Sequence, residues 1–214
     1  MKKIAILGTG EVGQALARGF ILDNYPVMVG SRDGSKAAQL DVVMEQDIAT
    51  GTFRDVARWG DLVVLAIKGS VAEGLAGDLA DELSGKIVID VTNPISDDEP
   101  EDGVLKLFTS LHDSLGERIQ AAAPEARVVK AWNTVGHRLM IDPEFDTRPT
   151  MPICGNDPDA RRVVAEIVDS FGWEVEDVGS MKAARALEPL TMFWCLPGFL
   201  NNDWNHAFKI LKQR

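Results

Sequence analysis

Six residues near the start of the chain, Gly8-Thr9-Gly10-Glu11-Val12-Gly13, have types and spacing that suit phosphate chemistry. Glycine at the first position permits a tight turn. At the second it lets the backbone come close to a pyrophosphate, and at the third it allows a helix to pack closely on a strand. The backbone amides that open the helix then face the phosphates with the positive end of its dipole. The pattern alone recurs by chance, but here it follows an apolar run, Ile4 to Leu7, and opens a helical pattern, Val12 to Leu22. A second apolar run, Val27 to Val29, completes a βαβ unit that binds a dinucleotide. Gly8, Thr9, Gly10, Glu11, Val12 and Gly13 are therefore candidate cofactor-binding residues.

The end of the second strand distinguishes the two nicotinamide dinucleotides, because an Asp or Glu there binds free ribose hydroxyls. This chain reads Gly30-Ser31-Arg32-Asp33, with Lys36 shortly after. Ser31 and Arg32 can donate to a phosphate, Arg32 through a planar charged fork, and Lys36 adds a point charge. NADP(H) is the expected cofactor. The competing candidate is Asp33, which could reach the ribose and admit NAD(H), but beside Gly34 it reads more naturally as a turn residue.

The elements that must position these groups follow from the apolar pattern. Further short apolar runs lie at Leu62 to Ile67, Ile87 to Ile89, Val128 to Ala131 and Met151 to Cys154, with a last strand predicted from Trp173 to Val178. Such runs suit strands buried on both faces. Helices are predicted over Val71 to Leu83, and from a cap at Asn156 through Phe171 to a stop at Gly172. Alternation of this kind implies an α/β fold, a Rossmann-type doubly wound, mainly parallel sheet with helices on both faces. Ligands of such sheets lie beyond the carboxyl ends of the strands. That rule nominates Ala66, Lys68, Asn93 and Pro94 for the cofactor, and Asn133, Thr134 and His137 beside them. Asn93, Asn133 and His137 are the candidate catalytic residues: two amides that can orient a ring, and an imidazole that can move a proton.

Composition narrows the function. The 214 residues give ordinary globular proportions, 45% hydrophobic and 26% charged, and no linker divides them. One domain over residues 1–214 is expected, with 188–214 as a packing or dimerisation extension rich in large apolar side chains. The net charge of −11 opposes nucleic acid and anionic lipid as partners. Two distant cysteines, Cys154 and Cys195, signal neither disulfide nor metal site, and fit a reducing cytoplasm. The acidic stretch Asp97-Asp98-Glu99-Pro100-Glu101-Asp102 reads as a solvated loop.

Several ordered pieces of the sequence resemble the NADPH-dependent coenzyme F420 reductase family, the deazaflavin:NADP oxidoreductases. They are Gly8 to Gly13, Gly30-Ser31-Arg32, Asp90-Val91-Thr92-Asn93-Pro94, Lys130-Ala131-Trp132-Asn133-Thr134, Ile153-Cys154-Gly155-Asn156-Asp157 and Leu187-Glu188-Pro189-Leu190. The family shares the NADP-binding fold of the pyrroline-5-carboxylate reductase N-terminal domain. Two stretches depart from many relatives: Ala66-Ile67-Lys68-Gly69, and the tail from Trp194 to Trp204. The resemblance implies hydride transfer between NADP(H) and a small-molecule acceptor, a deazaflavin such as coenzyme F420 or a flavin, often in a homodimer. The tail would then both close the acceptor pocket and contribute to the dimer. Two other functions stand beside this one, a noncatalytic NADP(H) sensor and a reductase of a small imine or carbonyl.

Overall fold

A computed structural model of the protein describes residues 2–40 and 48–213. Eight strands form one sheet: β1 (Ile4–Leu7), β2 (Val27–Ser31), β3 (Ala49–Thr52), β4 (Leu62–Leu65), β5 (Ile87–Asp90), β6 (Arg127–Lys130), β7 (Thr150–Gly155) and β8 (Glu174–Asp177). Their spatial order is β3-β2-β1-β4-β5-β6-β7-β8. The first six are parallel, whereas β7 pairs antiparallel with β6 through Val129↔Gly155 and Lys130↔Cys154, and β8 follows β7 in parallel. This is the expected mainly parallel, doubly wound sheet.

Strand β1 sits near the middle and shows why the sheet is covered on both sides. Its four residues are fully buried. Ile4 and Ile6 join Leu16, Phe20 and Val164 in one apolar layer, while Ala5 and Leu7 join Val56, Ala72 and Leu83 in the other. Alternation along a strand sends neighbours to opposite faces, and each such large aliphatic contributes roughly 1.5–3 kcal/mol through burial.

Seven α-helices surround the sheet among the described residues: α1 (Glu11–Leu22), α2 (Phe53–Trp59), α3 (Gly69–Asp78), α4 (Ala80–Leu83), α5 (Leu115–Ala122), α6 (Pro158–Ser170) and α7 (Ala184–Asn201). The sequence pattern does not predict α2, α5 or α7, and three further points differ from expectation. The predicted helix Val71 to Leu83 begins earlier, at Gly69, and is interrupted at Leu79, which leaves helical geometry at ψ 13°. Asp157, not Asn156, caps α6 by accepting from the Ala160 amide at 2.7 Å; the Asn156 Oδ1 instead accepts from the Met181 amide. Third, β3 has the sequence Ala-Thr-Gly-Thr, too short of large apolar groups to read as a strand, yet its backbone pairs along β2.

The reversal at β7 matters for function. Because β7 starts where β6 ends, residues 131–149 remain at the carboxyl edge of the first six strands and need no crossover helix. Helix α7 then returns the chain to that edge from the opposite one. Its interior prolines, Pro189 and Pro197, do not end it. The tail beyond α7 runs past β7, where the Thr150 amide donates to the Phe208 carbonyl at 2.8 Å and Thr150 Oγ1 accepts from the Ile210 amide at 3.1 Å. Arg214, the last residue of the expected extension, lies outside the described residues.

Candidate functional site

The turn between β1 and α1 is fixed by close backbone contacts. Gly8 has φ 140°, and a Cβ there would lie 2.0 Å from the Ala66 carbonyl oxygen. A Cβ on Gly13 would lie 2.4 Å from the Gly8 carbonyl oxygen. Gly8, Gly13 and Ala66 are thus locked together by the absence of side-chain atoms. Gly10 differs: a Cβ there meets nothing within 4 Å. It is the N-cap of α1 and makes no side-chain capping bond, and the first helical bond runs from Gln14 N to Gly10 O at 3.0 Å. The amides of Glu11, Val12 and Gly13 precede that bond and have no acceptor within the helix. Space above Gly10 and a row of unsatisfied donors make a cradle for a phosphate group.

At the end of β2, the Ser31 hydroxyl is buried and has no hydrogen-bond partner among the described residues. Arg32 and Lys36 are exposed next to it. Asp33 turns away and accepts from the Ser35 hydroxyl (2.8 Å) and amide (3.0 Å), bonds that hold its carboxyl below the usual aspartate range. Its Oδ1 closes a local turn, as the sequence suggested. The donor set at this strand end therefore suits an anion.

The two candidate asparagines are bonded to each other and to α7, while Asn133 Oδ1 is buried without a partner among the described residues. Asn93 Nδ2 donates to the Asn133 carbonyl (2.8 Å) and to Thr191 Oγ1 (3.0 Å), and its Oδ1 accepts from Asn133 Nδ2 (3.1 Å). Asn133 Nδ2 also donates to the Leu187 carbonyl at 2.9 Å. These side chains clasp the loops after β5 and β6 to α7, so neither amide nitrogen is free to orient a ring. Pro94 is buried beside the clasp, and Thr134 lies buried against the Met151 sulfur. Lys68 caps α3 and pairs with Asp97 in an exposed contact, which ties one end of the acidic loop. Such a surface pair contributes little to stability.

Three ionisable side chains, Asp90, Lys130 and Glu188, form a buried charged group near the clasp. Lys130 Nζ sits fully buried at 2.7 Å from Asp90 Oδ2, 3.1 Å from Glu188 Oε1 and 2.8 Å from the Thr92 carbonyl. Glu188 also accepts from the Leu115 and Gly116 amides, both at 2.9 Å, and Asp90 Oδ1 accepts from the Thr92 amide and hydroxyl. Burial alone would depress the Lys130 pKa, but the two carboxylates outweigh it and hold the ammonium above the ordinary lysine range. Three of the ordered sequence pieces therefore meet at one buried ion cluster. For Asp90 the signal is a charge that ends an otherwise apolar strand; Lys130 ends a strand that opens on Arg127, and Glu188 lies within α7.

His137 stands at the start of a short turn after β6, with Nδ1 3.4 Å from Glu11 Oε2 at the mouth of the glycine-rich turn. Both border a cavity of about 480 Å³ whose other walls are Gly136, Arg138, Trp194, Asn202 and Trp204. Its size falls within the range of small-molecule sites. The aromatic walls come from the tail, which the sequence marked as apolar but could not direct. A larger hollow of about 810 Å³, lined by Arg127, Asp157 and Lys182 among others, opens at the opposite edge of the sheet, away from the glycine-rich turn.

Residues 3–94 match the family model described as NADP oxidoreductase coenzyme F420-dependent. An F420-dependent NADP reductase of Methanocaldococcus jannaschii is 30% identical over 203 residues, which span 88% of this chain and 89% of that one. The chain belongs to the F420-dependent NADP reductase family. A crystal structure of an Arthrobacter sp. FB24 protein assigned as such a reductase superposes with a TM-score of 0.91 at 33% identity, covering 99% of this chain and all of that one. A pyrroline-5-carboxylate reductase of Coxiella burnetii, 18% identical, shares the fold over 86% of this chain and 61% of its own, with a TM-score of 0.62. The chain is therefore an NADP-dependent oxidoreductase, and the noncatalytic sensor reading gives way to catalysis. No helix among the described residues is long and apolar enough to cross a membrane.

Proposed function

We propose that this protein transfers a hydride between NADP(H) and a flat, flavin-like acceptor, with the deazaflavin coenzyme F420 as the first candidate and a flavin as the second. The observation that supports it is the aromatic cavity at the carboxyl edge, which shares Glu11 with the mouth of the glycine-rich turn. A cofactor held by that turn and an acceptor held by that cavity would be neighbours.

In this reading Gly8 to Gly13 hold the pyrophosphate, with Gly10 leaving room and the amides of Glu11, Val12 and Gly13 donating. The Ser31 hydroxyl, the Arg32 guanidinium and Lys36 hold the 2′-phosphate, which distinguishes NADP(H) from NAD(H). Ala66, Lys68, Asn93 and Pro94 border the nicotinamide half, the asparagine through its clasp and not by donating to the ring. When bound, the nicotinamide supplies the hydride. The residues around it need only align two rings and exclude water, so no nucleophile is required. His137, at the cavity wall, is the group placed to exchange a proton with the reduced acceptor. The whole chain acts as one NADP-binding unit, with the extension joined to it through α7. Exposed Phe193 and Leu200 on that helix support a homodimer. The two free cysteines favour a reducing cytoplasm; burial pushes the Cys154 thiol up to about 12 and the Cys195 thiol to about 11.

The test is anaerobic NADPH oxidation followed at the nicotinamide absorbance band, with coenzyme F420, FMN and FAD offered separately and NADH as the control donor. Saturable turnover with one of these acceptors, weak with NADH, is the expected result. Turnover only with small imines or carbonyls would move the assignment to that chemistry.

A further inference from the structure

The tail beyond α7 is held in a defined shape. Asn202 adopts left-handed geometry (φ 54°) and reverses the chain, which lays the Trp204 indole back onto the helix it has just left. The contact is possible only because residue 198 is glycine: a Cβ there would lie 2.3 Å from the Trp204 ring. Asn202 Oδ1 accepts from Trp204 Nε1 at 3.2 Å, and Phe199 meets the same ring edge-on at 5.4 Å and 80°.

Trp194 lies beside it, with ring centroids 5.8 Å apart. That indole is only 6% exposed, seated where a Cβ on Gly136 would come within 2.6 Å of it. It is also bonded reciprocally to His206: Trp194 Nε1 donates to the His206 carbonyl at 2.9 Å, and His206 Nε2 faces the Trp194 carbonyl at 2.8 Å. Trp194 is thus a fixed, buried floor. Trp204 is 38% exposed and supplies the accessible aromatic surface of the cavity. Glu11 and His137 form the wall shared with the glycine-rich turn.

Resting on the hydride-transfer reading above, we propose that Trp204 is the specificity-determining residue for the acceptor, a preformed stacking surface that favours extended flat heteroaromatic rings. Indole faces stack well on such rings, and a surface fixed before binding loses little conformational freedom when the ligand arrives. The role is one of recognition. Trp204 takes no part in the bond changes, so its removal should weaken acceptor binding and leave the chemical step and the cofactor alone.

The experiment uses the full chain with Trp204→Ala, Trp204→Phe and Gly198→Ala, the last displacing the indole without deleting it. Acceptor KM and kcat are measured with coenzyme F420 and FMN at saturating NADPH. Acceptor binding is read separately, without NADPH, from quenching of tryptophan fluorescence by FMN. Expected are an acceptor KM raised about tenfold in Trp204→Ala, a smaller rise in Trp204→Phe and a rise in Gly198→Ala, with kcat and NADPH affinity near wild type. FMN quenching should weaken in parallel. A folded Trp204→Ala with unchanged acceptor KM and unchanged FMN affinity overturns the proposal, as does a loss confined to kcat or shared equally with NADPH binding. If Trp204→Ala does not fold, Trp204→Phe and Gly198→Ala decide by the same criteria. Wild-type protein that binds FMN through Trp204 but reduces no ring acceptor overturns the hydride-transfer reading instead.

Discussion

The two walls of the carboxyl edge are built from different materials. On the proposed cofactor side, the turn after β1 is shaped by missing side chains: Gly8, Gly10 and Gly13 let backbone meet backbone or leave space, and the donors are backbone amides. On the proposed acceptor side, Trp194, Trp204 and His137 converge from segments far apart in sequence, while a separate buried ion cluster joins β5, β6 and α7. A backbone site is specified locally and tolerates almost no substitution where contacts are tight. A side-chain site is specified by tertiary folding and can change its ligand while the scaffold persists.

The sharpest way to break this contrast is to remove its supports. Gly8→Ala forces a Cβ into the Ala66 carbonyl at a positive φ, so a loss of about 3 kcal/mol or more, or failure to fold, is expected in thermal melts. Lys130→Met leaves two buried carboxylates unpaired and should cost about 3–5 kcal/mol. Lys130 also carries a pH signature. Its folded pKa is raised above the unfolded lysine value of 10.5, so its contribution is complete below that value and disappears as pH rises through the folded pKa. Denaturation titrations should show this alkaline loss in the wild type and not in Lys130→Met.

Smaller effects sharpen the contrast. Gly10→Ala places a methyl in open space, so the melting temperature should hold while NADPH affinity falls about tenfold, read by calorimetry. A parallel loss of fold would show that the space over Gly10 is structural. Arg32→Ala removes one charged donor, and NADPH affinity should drop about tenfold or more while that for NADH stays level. Equal losses would remove the phosphate assignment. Least of all, Thr52→Ala deletes the reciprocal cap of α2, in which Thr52 and Asp55 bond each other's amides. It should cost about 1 kcal/mol and alter neither ligand site.

These materials also explain what could be read from the sequence. Gly8 to Gly13 and Ser31-Arg32 announce themselves because spacing within a few residues determines their geometry. The apolar strands do so as well, apart from β3, whose small and polar residues gave no periodic signal. Helix α2 carries a signal of its own in Thr52 and Asp55, which stand at capping-box spacing, whereas Pro189 and Pro197, residues that ordinarily argue against a helix interior, mask α7. The clasp of Asn93, Asn133 and Thr191 was out of reach for another reason. Its members lie up to 98 positions apart, and only the return of α7 makes two apparently available amides into structural bonds.

That clasp has a dynamic consequence. It joins the loops after β5 and β6 to α7 through buried and part-buried hydrogen bonds, so these segments should open to solvent only in large cooperative fluctuations. Beyond Asn202 the side-chain bonds that hold the chain are exposed or part-buried. Hydrogen exchange should accordingly divide α7 from the tail close to Asn202, with slow amides around Leu187 to Thr191 and faster ones around Asp203 to Asn205.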